Sequence, residues 1–319
     1  MSTDVGSGAG SDTTATDAGA DAATGGSPSS SINPASVRAV AKKDFRDSIR
    51  SWVFWGLSVF FFTLLVATTG VISYFGEDIA AQGETTEALV AMVNGITRLI
   101  IPLIALILGW KAIAGERESG SIKVLLSLPH SRKDVLLGKL IGRAAVLTVS
   151  LVVGFALAAL VVVALLGSFD IVDYGGLLVM SIIYGLAYTS IAVAVSSLTR
   201  STTVAGAGMI GIFVLFYILW DTMLVAFMTL MNMGYLPEGE TSAQVMLFFN
   251  SLDPGMAYQN VLSLVTSVGD LDGQTVMMLE NMFGSVPFYL QDWFAFVILL
   301  GWIVVPIAIA LFRFDRVDL

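Results

Sequence analysis

The sequence predicts an all-α integral membrane protein with six transmembrane helices. Two observations carry this prediction and a third orients it. Hydrophobic residues make up 56% of the chain and charged residues 13%, with a mean hydropathy of +0.83. Soluble domains carry about 25% charge. Apolar runs of about twenty residues recur, each long enough to cross roughly 30 Å of hydrocarbon at about 1.5 Å per residue. The orienting observation is the placement of lysine and arginine.

The six runs fall near residues 53–73, 94–114, 141–166, 176–198, 203–231 and 293–312. The links 170–176 and 199–202 are too short to hold a domain, so the spans they join are antiparallel hairpins. With both termini in the cytoplasm, fifteen of the sixteen basic residues lie on that side or at its boundary, and only Arg98 does not. The opposite links carry acids, among them Glu77, Asp170, Asp253 and Asp292, and no lysine or arginine. This positive-inside pattern predicts a multi-pass protein of the cell membrane with both ends inside.

Residues 1–33 are mostly Ser, Thr, Gly, Ala and Asp. Such a segment cannot offset the entropy of ordering, and it is expected to be a disordered, acidic cytoplasmic tail. It has no basic n-region and no apolar h-region, so it does not read as a signal peptide. Residues 34–319 form the transmembrane domain. It opens with an amphipathic helix over 36–52, preceded by Pro34 and capped by Ser36. Val37, Val40, Ala41, Phe45, Ile49 and Trp52 recur on one face, and Arg38, Lys42, Lys43, Arg46 and Arg50 lie largely on the other. This helix is expected to lie in the bilayer interface with its basic face toward lipid phosphates.

The largest outer segment covers 232–292. Its apolar stretches 243–249, 256–268 and 276–283 are too short to span and suit interfacial or re-entrant helices. Met246, Met256, Met277, Met278 and Met282 could serve Cu(I), but they stand among Leu, Val and Phe at packing spacing, so they are expected to fill a core. Two small-residue stripes, Thr203, Ala207, Gly211 and Ser181, Gly185, Thr189, mark close helix contacts. Pro102 and Pro306 suggest kinks.

Several functions are excluded. The chain has no cysteine, so disulfides and thiolate metal sites are absent. Its single histidine, His130, leaves no imidazole set for haem or a metal, and no metal site is predicted. An intramembrane serine protease needs a Ser–His pair within the bilayer, and His130 falls in a cytoplasmic link. The basic residues follow topology instead of lining a groove, which argues against nucleic acid. Gly138-Lys139 lacks the upstream glycine of a P-loop, so the chain does not hold ATP itself.

Two intramembrane charges invite a role. Arg98 and Asp221 fall in the outer halves of spans two and five, roughly 22 Å and 27 Å above the inner ends. A lone charge there faces a partner or a water-filled cavity. The two are expected to pair or to line one outer cavity; snorkelling to the interface is the alternative, above all for Arg98.

The 115–140 link is the most informative stretch. Gly115 and Gly120 allow a break after span two. Ser121 can cap a short helix carrying Ile122, Leu125 and Leu126, which Pro129 ends. Ser131 with Asp134 is a capping box that restarts a helix into span three. Such a piece suits docking to a cytoplasmic partner, and equally a solvated hairpin. The run Glu116-x-Glu118-x-Gly120-Ser121-Ile122-x-x-Leu125-Leu126-x-x-Pro129-x-Ser131-Arg132-x-x-x-Leu136-x-Gly138-Lys139 resembles the first cytoplasmic loop of ABC-2 type ABC-transporter permeases. The resemblance in topology extends from about Pro34 to the end. The large outer segment is similar to that of permeases of the copper and nitrous-oxide-reductase maturation systems.

The resemblance implies six spans behind a basic N-terminal helix, and a coupling helix seated in a cleft of a separate ABC ATPase subunit. The contact would fall on Glu116, Arg117, Glu118, Gly120, Leu125, Leu128, Pro129, Ser131 and Arg132. It implies a transporter subunit, not an enzyme, most simply of an exporter. It implies no cofactor here, with ATP and Mg on the partner, and pairing with a second copy or a related permease in the lipid bilayer. A channel or scaffold without a motor would have no use for such a loop.

Overall fold

The computed structural model describes residues 32–75, 85–121, 131–166, 170–237, 239–266 and 273–314. Every regular element among the described residues is helical: α1 (Pro34–Ile49), α2 (Trp52–Tyr74), α3 (Thr85–Gly109), α4 (Ala114–Glu118), α5 (Arg132–Leu166), α6 (Ile171–Leu198), α7 (Thr202–Val214), α8 (Trp220–Asn232), α9 (Glu240–Ser251), α10 (Pro254–Leu262), α11 (Gly273–Phe283) and α12 (Asp292–Phe314). Six stretches are long and apolar enough to cross a membrane: Phe54–Tyr74, Val90–Glu118, Arg132–Leu166, Ile171–Leu198, Thr202–Asn232 and Asp292–Arg313. They coincide with the six apolar runs. The molecule is a helical, multi-pass membrane protein.

Helix α1 is capped three residues earlier than its sequence suggests and ends at Ile49, so that Trp52 opens α2 instead. The cap is Asn33, whose side-chain oxygen accepts from the N–H of Ala35, and Ser36 is buried inside the helix. Pro34 explains the difference: proline suits the first helical position, so the cap must precede it. The apolar face of α1 rests on another helix of the chain. Val37, Val40 and Ala41 are buried against α5, while Arg38, Lys42, Lys43, Arg46 and Arg50 stay exposed. The cause is glycine. A Cβ at Gly138 would stand 2.6 Å from Val40 Cβ, and one at Gly142 would stand 2.8 Å from Asp44 Cβ. Gly154 leaves similar room for Phe61 of α2, at 2.8 Å. The two α1 pairs advance together, Val40 with Gly138 and Asp44 with Gly142, so α1 runs parallel to α5.

Helix α5 has 35 residues, a length of roughly 52 Å at 1.5 Å per residue. Its first turns precede the apolar run, and there it carries α1. Helix α6 is the most enclosed span, packed by α3, α5, α10 and α12. Its stripe Ser181, Gly185, Thr189 is used inside the bundle: both hydroxyl residues are buried, and Gly185 admits Leu147 and Ile101. The other stripe is not. Thr203, Ala207 and Gly211 are exposed, and α7 turns Ala205, Gly206 and Met209 inward, with Gly206 against Trp110. Pro102 and Pro306 lie inside α3 and α12.

Span five contains a feature the sequence did not announce. Residues Leu215–Leu219 form a π turn between α7 and α8. Beyond it, the short apolar stretches become α9, α10 and α11. Helix α10 sinks into the bundle, and Ala257, Tyr258, Val261 and Leu262 are wholly buried against α6 and α12. Helix α11 buries Leu279 but leaves Met277, Met278 and Met282 exposed. The core-filling role expected for these three methionines is therefore corrected: one leucine supplies the helix's buried anchor, and the three methionines stay exposed.

The close approach of α1 to α5 is testable. Replacing Gly142 by Leu should destabilise the protein by about 1–3 kcal/mol, the usual cost of overpacking. Gly211→Ala, where no other group lies within 4 Å, should be neutral or slightly stabilising. Thermal unfolding in detergent measures both, and equal behaviour of the two variants would contradict the packing described.

Candidate functional site

Two polar assemblies stand out, at opposite ends of the bundle. The first surrounds the 115–140 loop. Span two breaks at 110–113, before the expected point at Gly115, because a serine from α6 takes over the backbone there. Ser196 Oγ accepts from the N–H groups of Ile113 (3.1 Å) and Ala114 (3.0 Å) and donates to the carbonyl of Trp110 (2.8 Å). The short helix α4 follows, and Gly120 closes it at φ 74°, the left-handed conformation that favours glycine.

Helix α4 is tied on two sides. Glu116 Oε1 meets Lys139 Nζ at 2.6 Å, and Lys139 Nζ meets Asp44 Oδ1 of α1 at 2.9 Å. Arg143 adds an ion pair to Asp44 Oδ2 at 3.1 Å. Lys139 and Asp44 are only 8% and 4% exposed. The four charges sum to zero, as buried charges must if they are not to cost several kcal/mol. On the other side, Arg117 Nη1 donates to the carbonyl of Thr199 at 2.9 Å. The N–H of Thr202 donates to Glu118 Oε2 at 2.6 Å, which places a carboxylate at the N-terminus of α7. One five-residue helix thus reaches α1, α5 and the α6–α7 link.

The capping box at the start of α5 is present in both directions. Asp134 N–H donates to Ser131 Oγ, and Ser131 N–H donates to Asp134 Oδ2, each at 3.1 Å. Asp134 Oδ1 also accepts from the N–H of Asn33 at 2.9 Å, so the same residue anchors the start of α1. Of the sequence-predicted contact residues, Glu116 and Arg117 are engaged within the chain, Glu118 is exposed, Gly120 ends α4, and Ser131 and Arg132 are half-buried. Leu125, Leu128 and Pro129 lie outside the described residues. Sequence reasoning missed Asp44, Arg143 and Ser196. The four-residue spacing of Lys139 and Arg143 on one helix was the available signal.

The second assembly is a cavity of about 320 Å³ walled by α3, α6, the π turn, α8 and α10. Arg98 Nη2 meets Asp253 Oδ2 at 3.1 Å, and Nη1 donates to Gln259 Oε1 at 3.3 Å. Asp253 is also the cap of α10, accepting from the N–H of Met256 at 2.9 Å. Tyr184 donates its hydroxyl to the carbonyl of Arg98 at 3.0 Å and stacks on Tyr258 at 4.5 Å. Glycine is required beside the guanidinium, because a Cβ at Gly255 would stand 2.7 Å from Arg98 Nε. Burial pushes the Asp253 carboxyl above the usual carboxylate range, against the pull of Arg98 and of the N–H groups of Met256 and Gly255.

Arg98 and Asp221 line this one cavity, but the ion pair of Arg98 is with Asp253, 155 positions away in sequence. The π turn sets Phe216, Tyr217 and Asp221 on the opposite wall. Between α3 and α7 runs a separate apolar groove of about 280 Å³ lined by Leu103, Ile107, Trp110, Met209 and Phe213 among others.

The family model for ABC-2 family transporter proteins matches residues 38–319 of the chain. A probable ABC transporter permease protein NosY of Pseudomonas aeruginosa is 29% identical over 229 residues, which cover 70% of this chain and 80% of that protein. A protein of the same description from Stutzerimonas stutzeri is 28% identical over 207 residues, covering 62% of this chain and 73% of the relative.

The Arg98–Asp253 pair predicts a specific pattern of stabilities. Arg98→Gln should lower stability by about 3–5 kcal/mol, because it leaves the Asp253 carboxylate buried without its partner, and Asp253→Asn should cost less, because the Arg98 side chain is 26% exposed. Asparagine keeps the helix cap, so the loss reports charge. The double variant should recover at least about half of the summed loss by a double-mutant cycle. Strictly additive losses would show that the two groups do not interact.

Proposed function

The chain belongs to the ABC-2 family of transporter proteins, and from that premise we propose that it is the permease subunit of an ATP-driven exporter, worked by a separate ATPase subunit through the 115–140 loop. ATP and Mg belong to the partner. This chain supplies the docking loop and the moving spans. In this reading the loop, the N-terminal helix and both termini face the cytoplasm, which agrees with the distribution of lysine and arginine.

The observation that carries the proposal is the two-sided tether of α4. A load applied to the loop passes through Glu116 and Lys139 to α1 and α5, and so to spans one and three. It passes through Arg117 and Glu118 to the hairpin of spans four and five. Breaking a buried ion pair costs more than moving it whole, so α4 and its partners shift as a unit. Motion of that kind converts a small displacement below the membrane into a change between two packings of the spans. The partner would seat on the stretch from Glu118 through Arg132, while Glu116 and Arg117 are held within the chain as transmitters.

Span five fits a surface shared with a second permease. Its residues are the least buried of the six spans, and its small-residue stripe Thr203, Ala207, Gly211 is open. Cargo would meet the apolar groove between α3 and α7 and the polar cavity beyond it.

Alanine replacements throughout 118–132 should abolish co-purification of the ATPase subunit. Glu116→Gln combined with Lys139→Met should keep association but lower transport-coupled ATP hydrolysis in proteoliposomes by tenfold or more, a change of about 1.4 kcal/mol in activation free energy. If the loop variants bind the ATPase and turn over as the native protein does, the loop does not couple, and the chain acts as a channel or scaffold.

A further inference from the structure

We infer that the polar cavity binds a small organic cation, with the Asp221 carboxylate as its counter-ion and the rings of Phe216 and Tyr217 as its wall. The inference rests on the permease reading only for its meaning as a cargo or regulator site; the binding chemistry is argued from the cavity alone.

The first argument is charge. Three side chains of formal charge face this space: Arg98, Asp253 and Asp221. The guanidinium is already engaged. Its two terminal nitrogens reach Gln259 and Asp253, and its Nε lies against Gly255. No forked pair of donors is left to clasp a carboxylate or phosphate, so an anion finds no receptor here. Asp253 is 3% exposed and is answered by Arg98 and by the N–H of Met256. What remains is Asp221, exposed on its helix, with Arg98 as the sole basic residue among those lining the cavity. The assembly carries a formal charge of −1 and is completed by a cation. A carboxylate on an apolar span needs such a partner.

The second argument is the wall. Phe213 stacks on Tyr217 at 4.9 Å and holds its ring, and Phe216 is braced edge-on by Tyr188 at 6.1 Å and by Trp302 at 5.2 Å. Fixed aromatic faces beside a single carboxylate are the environment that attracts weakly hydrated ammonium groups. They are a poor environment for a hard metal ion, which asks for six or more oxygen ligands. Among the described residues, no three His, Cys, Asp or Glu side chains converge on a point. A cavity of about 320 Å³ lies at the small end of ligand pockets, which suits an amine or quaternary ammonium of a few carbons.

The third argument is access. The segments that flank this end of the bundle, 170–176 and 232–292, contain acids and no lysine or arginine. Their field enriches cations at the entrance.

The test uses the full chain in lipid nanodiscs, with tetramethylammonium as the probe and sodium chloride at equal ionic strength as the reference. Calorimetric titration should show saturable binding of tetramethylammonium, and sodium sulfate should show none. Asp221→Asn should weaken binding tenfold or more, whereas Asp221→Glu, which keeps the charge, should retain it. Tyr217→Leu should weaken binding several-fold and Tyr217→Phe should not. Unaltered affinity in Asp221→Asn, absence of tetramethylammonium binding to the native chain, or preferential binding of sulfate would each overturn the inference. Neither nucleotide nor ATPase is present, so a negative result leaves the coupling function standing. Conversely, failure of ATPase association would leave a measured cation site intact.

Discussion

The ammonium of Lys139 is the group on which the base of the bundle depends. A lysine buried to this degree is tolerated only where carboxylates surround it, and here they come from two different elements, Asp44 on α1 and Glu116 on α4. Arg143 then balances the second carboxylate. The cluster forms because Gly138 and Gly142 remove the side chains that would hold α1 away from α5. Packing and electrostatics are therefore one constraint. If α1 withdrew by the width of a side chain, Asp44 would leave its cations buried without an answer. Helices α1, α4 and α5 keep their relative positions for that reason, and the loop inherits a rigid root.

Above this root the structure repeatedly interrupts its helices, and each interruption is provided for. A backbone group in hydrocarbon must find a partner within the protein. Ser196 answers three such groups at the end of span two. Asp253 caps α10 inside the bundle, and Trp302 Nε1 donates to the carbonyl of Leu252 at 2.9 Å just before that cap. The π turn in span five keeps its own longer hydrogen-bonding pattern, as such turns near functional positions do. The breaks fall where spans two and five meet the loop and the cavity. The enclosed α6, by contrast, runs unbroken from Ile171 to Leu198.

What the residues disclosed in advance follows the range of the forces involved. Spans are set by local length and hydropathy, so all six were legible. The Ser131–Asp134 cap is a contact over three positions and was equally legible. Asn33 was missed because Ser36 is also a capping residue type, and Pro34 points to the residue before it only when its place in the first turn is weighed. The basic N-terminal helix was read correctly as amphipathic, but amphipathicity does not say which apolar surface covers the face; the glycines that decide it lie a hundred positions away. The partner of Arg98 was hidden for a similar reason. Asp253 sits in a stretch that reads as surface, and a π turn has no sequence signature, so nothing local brings Tyr217 and Asp221 toward Arg98.

The two charged assemblies differ in one respect that separates their roles. At the base, two carboxylates meet two cations and the sum is zero. Such a set is complete; a ligand would have to displace one of its members, and the energetic gain lies in holding helices together. In the cavity, one guanidinium faces two carboxylates. That set is incomplete, and it is bordered by fixed aromatic rings in place of further charges. A closed cluster resists being pulled apart and so transmits load. An open one changes its free energy when a charge arrives. In the proposed reading, where work at one end is coupled to a solute at the other, one of each is required, and the helices between them, α3 through its continuation in α4 and the α7–α8 span through its contact with Glu118, join the two.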